Sequence, residues 1–161
     1  MAEIRIGVVT SSDSCSSGTR EDTAGRALMD LCEKRGWIVV GYHVCMDDIE
    51  ALTASIAEIA DVDGAEVILT CGGTGFGPRD VAPEATMNAC DRPAPGIAEH
   101  IRAESGRITP RAMLSRATAA MRGPVLVINL PGSEKAAREC FGFVADQLEH
   151  AVEMAGGGGH D

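Results

Sequence analysis

The stretch from Val67 to Thr86, VILTCGGTGFGPRDVAPEAT, admits few structures. It opens as a short apolar run rich in β-branched residues, which marks a buried strand. The run breaks into Gly72, Gly73, Gly75 and Gly77 around Thr74 and Phe76, then closes with Pro78, Arg79 and Asp80. Pro83 and Glu84 suit the first turn of a helix, where a proline lacks only a redundant N–H and a carboxylate complements the helix dipole. Strand, glycine loop and helix in this order form a phosphate cradle, because glycines let backbone N–H groups turn toward an anion. A carboxylate beside such a cradle, here Asp80, suits chemistry or a metal better than anion affinity. The alternatives are a plain surface turn for the loop and a helix cap for Asp80.

The rest of the chain repeats the strand–helix alternation. Ile4–Thr10 reads as a strand, Ser11–Asp22 as a polar loop, and Thr23–Arg35 as a helix ended by Gly36. Trp37–Val44 is a second strand, and Met46-Asp47-Asp48 opens a helix to about Ala60, with Ile49, Leu52, Ile56 and Ile59 on one face. After the helix from Pro83, Asp91–Gly96 is a stiff connection, and helices are expected over Ile97–Glu104 and Met113–Met121. Pro124–Asn129 is a buried strand, Leu130–Ser133 a turn, and Glu134–Met154 a final helix. One domain spans residues 1–155, and 156–161 form a flexible glycine-rich tail.

Such alternation predicts an α/β fold with three α/β/α layers around a mostly parallel sheet. Ligands of these sheets bind beyond the carboxyl ends of the strands. That rule gathers Asp47, Asp80, Ser133 and the glycine loop into one cleft. Asp47 at a helix start is also a natural cap, and Ser133 caps a helix while its first-turn amides face an anion. Asp13 and Asp22 are read first as loop formers. His43 and His100 read as packed or solvated, and Cys71 as a small core residue.

The net charge of −10 over 161 residues argues against nucleic acid as a partner. No run approaches a membrane span, and the N-terminus runs into a strand without a signal peptide, so a cytoplasmic protein is expected. Six cysteines without zinc spacing are expected to be reduced. The loop ends in Gly77-Pro78-Arg79 instead of Gly-Lys-Ser/Thr, and Gly73–Pro78 does not supply G-x-G-x-x-G, which sets both common nucleotide motifs aside.

What the residues do match is more specific. TCGGTGFGPRDVAPEAT, Asn129-Leu130-Pro131-Gly132-Ser133, Met113-Leu114-Ser115-Arg116, and Ser12-Asp13 through Ser17-Gly18 to Asp22 together span Thr10 to about Ala137. In these the chain resembles the molybdenum-cofactor biosynthesis family of the MogA/MoaB type, which includes the G domain of gephyrin-like proteins. The resemblance implies the molybdopterin-binding fold and adenylylation of molybdopterin, whose terminal phosphate attacks the α-phosphorus of ATP while pyrophosphate leaves. It implies Mg²⁺ held by Asp80 and Asp47 as the central carboxylates. Gly72, Gly73, Thr74 and Gly75 would hold phosphate, Arg79 would neutralise leaving-group charge, and Asp13 and Asp22 would lie on the substrate side. The pterin is expected near Ser115, Arg116 and the Pro131-Gly132-Ser133 turn. It also implies a homo-oligomer, a trimer or a hexamer, and a downstream molybdenum-insertion enzyme as partner. Two departures from the family pattern stand out: Ala82 where a capping threonine is usual, and Glu134 where proline is common. The alternative on the same fold is a protein that binds molybdopterin or a nucleotide without transfer.

Overall fold

The computed structural model describes residues 3–158, so residues 159–161 of the expected tail lie outside the described residues. The chain runs β1 (Arg5–Ser11), α1 (Asp13–Ser16), α2 (Thr23–Lys34), β2 (Ile38–Cys45), α3 (Ile49–Asp61), β3 (Val67–Cys71) and α4 (Ala82–Ala89). It continues with β4 (Arg92–Pro93), α5 (Pro95–Gly106), a 3₁₀ turn (Pro110–Leu114), β5 (Ala119–Arg122), β6 (Val125–Leu130) and α6 (Glu134–Ala155). One six-stranded sheet has the order β2-β1-β3-β6-β5-β4. β2, β1, β3 and β6 are mutually parallel, and β5 and β4 add an antiparallel edge.

The continuous apolar runs follow from burial on both faces. Val67, Leu69 and Cys71 of β3 point with Leu126, Ile128 and Leu130 of β6 into a core shared with Leu28 of α2 and Phe141 and Leu148 of α6. Ile68 and Val127 point the other way, against Leu52, Ile56 and Ile59 of α3 and Ala85 of α4. Side chains alternate across a strand, so a strand covered by helices on both sides must be apolar at every position. The polar exceptions are joined to one another. Buried Asn129 donates from Nδ2 to the hydroxyls of Thr70 (2.9 Å) and Thr86 (2.8 Å) and accepts the Thr118 N–H at Oδ1 (3.1 Å). This ties β3, α4 and the approach to β5 behind the glycine loop.

Four expectations are corrected. Met113–Met121 is not a helix. Pro110 starts a short 3₁₀ turn capped by the Thr109 hydroxyl, and Ala119–Arg122 pairs antiparallel with Val125–Ile128 through the two-residue turn Gly123-Pro124. Gly123 has φ +53°, and a glycine leading a two-residue turn between strands was the available signal. Ser11–Asp22 contains the short α1, and α5 begins at Pro95 instead of Ile97. Position 82 is also not the cap of α4. Val81 occupies that place, and Ala82 is buried with its methyl beneath Gly73.

Candidate functional site

Register brings the ends of the parallel strands level: Ser11 pairs Cys45, Thr10 pairs Cys71, and Cys71 pairs Leu130. The loops that follow wall a cleft of about 360 Å³. Its lining includes Ser11, Asp22, Asp47, Gly72, Gly73, Asp80, Gly132 and Ser133. The glycine loop and the Pro131–Ser133 turn meet backbone to backbone: the Gly72 N–H donates to the Leu130 carbonyl (3.1 Å), and a Cβ on Gly132 would lie 3.1 Å from the Gly72 Cα. Gly72 (φ +95°) and Gly73 (φ +70°) turn through the left-handed region. Because its amide is already bonded, Gly72 shapes the loop and does not offer a donor. The N–H groups of Gly73, Thr74 and Gly75 have no acceptor among the described residues.

Asp47 is free for the site because its neighbour does the capping. The Asp48 carboxylate accepts the Ala51 N–H (2.9 Å) at the start of α3. Asp47 turns back over the end of β1, accepting the Ser11 hydroxyl (2.6 Å) and the Asp13 N–H (3.0 Å). Its own N–H donates to the Asp13 carboxylate (3.0 Å). Asp80 accepts the Gly77 N–H at Oδ2 (2.9 Å), and its Oδ1 has no hydrogen-bond partner among the described residues. The carboxylate folds down over the loop because Gly75 and Gly77 leave room: a Cβ on either would stand 2.9 Å from Asp80 Oδ2. The N-terminus of α6, capped by the Ser133 hydroxyl on the Ala136 N–H (3.3 Å), faces the same cleft.

Several expected residues have other work. Asp22 lines the cleft, but it caps α2 through the Gly25 N–H (2.9 Å) and accepts the hydroxyls of Thr10 (2.7 Å) and Tyr42. Burial first and the Asp22 bond second push the Tyr42 phenol up, so it remains a donor. Thr74, Gly75, Arg79, Asp13, Ser115, Pro131 and Arg116 stand outside the lining of this cleft. Ser115 and Pro131 line a separate, largely apolar cavity of about 200 Å³, with Ile101 and Ala98 of α5, Ile108, and Ala112 of the 3₁₀ turn. The two cavities adjoin at the Pro131–Ser133 turn. The Arg116 guanidinium is bonded to Glu84 and to the carbonyls of Gly75 and Asp80. Glu134 accepts Arg138 Nε (3.0 Å) and is absent from the lining of either cavity. Ser11 and Tyr42 were missed, although the Thr10-Ser11-Ser12 run at a strand end was a signal for the first. Cys71 is buried, and desolvation pushes its thiol up to about 12.

Arg79 grips Asp13 with two bonds, Nε to Oδ2 (3.1 Å) and Nη2 to Oδ1 (2.9 Å). The Arg79 hydrogen bond, then the Asp47 amide, holds the Asp13 carboxyl below its ordinary value of 3.8. A carboxyl depressed in the folded state adds stability above its unfolded value and loses it as pH falls through the folded one. Asp13→Asn is therefore expected to lower stability modestly at neutral pH, with the difference from wild type shrinking as pH falls through the depressed value of the folded carboxyl. Urea midpoints across pH check this, and identical midpoints at pH 7 would remove Asp13 from the network.

The family model described as "Probable molybdopterin binding domain" matches residues 7–150. Molybdopterin adenylyltransferase of Helicobacter pylori (strain J99) is 34% identical over 156 residues, which are 96% of this chain and 89% of that protein. Molybdenum cofactor synthesis protein cinnamon of Drosophila melanogaster is 39% identical over 158 residues, 97% of this chain but 26% of that protein, so the chain spans about a quarter of that relative. The crystal structure of the molybdopterin biosynthesis enzyme MoaB from Thermus thermophilus superposes with a TM-score of 0.89 at 40% identity, covering 96% of this chain and 97% of the other.

Proposed function

The chain belongs to the molybdopterin-binding domain family, and from that membership we propose that it transfers the adenylyl group of ATP to the terminal phosphate of molybdopterin. A phosphate oxygen of molybdopterin attacks the α-phosphorus of ATP, the bond from that phosphorus to the bridging oxygen breaks, and pyrophosphate leaves. The observation that supports this reading best is the cleft itself, in which two carboxylates face a glycine loop and a helix N-terminus. Transfer at phosphorus is catalysed mainly by positioning and by neutralising charge.

In this reading the N–H groups of Gly73, Thr74 and Gly75 and the first turn of α6 hold phosphate oxygens. Arg79, with 62% of its side chain exposed, exchanges the Asp13 carboxylate for a leaving phosphate. The apolar cavity beside Ser115 takes the pterin, and its phosphate reaches the cleft at the Pro131–Ser133 turn. Mg²⁺ fits the donor set. Among the described residues no three His, Cys, Asp or Glu side chains gather as a metal cage, and nucleotide-bound Mg²⁺ takes one or two carboxylates with phosphates and water completing its shell. Asp80 Oδ1 and Asp47 would hold it, and it would supply neutralising charge to the phosphates. A homo-oligomer belongs to the same reading, with Phe76 (71% exposed) and Met113 (77% exposed) as apolar surface to be covered.

The test is turnover. Purified protein given molybdopterin, ATP and Mg²⁺ is expected to release pyrophosphate in step with adenylylated pterin, and to stop when the metal is chelated. Saturable pterin binding without pyrophosphate would make it a binding protein instead.

A further inference from the structure

The loop from Gly75 to Asp80 has no buried apolar side chain of its own: Phe76, Gly77, Pro78 and Arg79 are all exposed. Inside it, the Asp80 N–H donates to the Gly77 carbonyl (3.0 Å) and the Gly77 N–H returns to Asp80 Oδ2 (2.9 Å). Two such bonds, open to water, are weak restraint for a carboxylate that must stand at a fixed place.

Two distant residues add restraint: Asp13 holds the exposed Arg79 side chain, and Arg116 holds the loop's backbone at both ends. The Arg116 N–H donates to the Thr74 carbonyl (2.8 Å), Nε to the Gly75 carbonyl (2.8 Å), and Nη2 to the Asp80 carbonyl (2.7 Å). A single planar guanidinium thus spans both ends of the loop and sets their separation. Glu84, in the first turn of α4, grips the guanidinium from its far side, Nη1 to Oε2 (2.7 Å) and Nη2 to Oε1 (3.2 Å). The fork geometry is particular to arginine, because a lysine ammonium cannot hold two carbonyls and a carboxylate in one plane. With these bonds made, the side chain faces the protein and is absent from the lining of both cavities.

We propose that Arg116 is a positioning residue, which with Glu84 clamps the Gly75–Asp80 loop and so places the Asp80 carboxylate, and that it is a ligand of neither substrate. The proposal rests on the transfer reading for its kinetic consequence and on the ligand-free structure for its mechanical one.

The experiment pairs amide hydrogen exchange of the ligand-free protein with steady-state kinetics, for wild type, R116M, R116K and E84Q. In R116M the 75–80 segment is expected to exchange about tenfold faster while β3 and β6 keep their protection. The kcat falls by about 10–100-fold with KM for ATP and molybdopterin little changed, as for a residue acting through another. R116K resembles R116M, and E84Q shifts both readouts in the same direction by less. The double variant R116M/E84Q is no worse than R116M. A raised KM for molybdopterin with loop exchange and kcat kept would make Arg116 a substrate ligand and overturn the proposal, as would unchanged loop exchange. Should R116M fail to fold, E84Q carries the same test, since Glu84 reaches the loop through Arg116. A wild type without turnover would sink the transfer reading alone, because loop exchange still decides the clamp.

Discussion

Asp80→Ala is expected to lower the rate of pyrophosphate release by roughly 10²–10³ while the protein stays folded. The carboxylate stands at the cleft with Oδ1 unengaged among the described residues, so its removal takes away charge where phosphates would gather. What it gives the fold is one solvent-accessible bond to the Gly77 N–H, worth about 1 kcal/mol and a melting shift of about 2–4 °C. Asp80→Asn separates the two contributions. Its amide oxygen still accepts from Gly77 but carries no charge, so it should lose activity like alanine and melt like wild type. Calorimetry alongside the turnover assay reads both. Wild-type turnover per folded molecule in Asp80→Ala would reduce the aspartate to a loop staple.

Gly72→Ala is expected to be the most damaging addition of a single methyl in the site. The residue has φ +95°, and a Cβ there would sit 2.3 Å from the Ser11 carbonyl oxygen. That oxygen belongs to backbone fixed by pairing of β1 with β2, so it has nowhere to move. Left-handed backbone costs an alanine about 1–3 kcal/mol by itself, and the clash adds to it. A loss above about 3 kcal/mol, or roughly 6–12 °C in melting temperature, is expected. Gly18→Ala is the matched control: φ is +82° and no atom of the described residues lies within 4 Å of its Cβ, so it bears the backbone term alone. Equal melting temperatures for the two variants would show that the loop yields at Ser11. Activity should also fall further in Gly72→Ala than in Gly18→Ala, since the Ser11 hydroxyl orients Asp47.

The strands of the parallel sheet were legible because burial on both faces leaves them no polar freedom, and runs such as VILTC and VLVIN record that directly. The segment around Met113–Met121 was not. Its alanines and methionines favour a helix locally, and pairing of Ala119–Arg122 with β6 overrides that preference. In the site, Asp47, Asp80 and Ser133 were legible from their places at strand ends, a consequence of topology. Which of Asp47 and Asp48 would cap α3 was not, because adjacent aspartates offer the same chemistry and only backbone direction separates them. The partners of Arg79 and Arg116 were equally hidden. Their guanidinium groups reach residues 66 and 32–41 positions away, and no local pattern encodes such a reach.

The pairing of β3 with β6 has a consequence for the order of events in synthesis. Val67 lies opposite Leu126, so these neighbours are joined only after α4, β4, α5 and β5 have been laid down between them. Contacts so distant in sequence close slowly and late. A nascent chain ending before Leu130 can pair β1 with β2 and β3, but lacks the turn that forms the fourth wall of the cleft. An enclosed cleft therefore waits until β6 seats and α6 follows it onto the sheet. A chain stalled before β6 would carry both aspartates and the glycine loop and still lack an enclosed cleft.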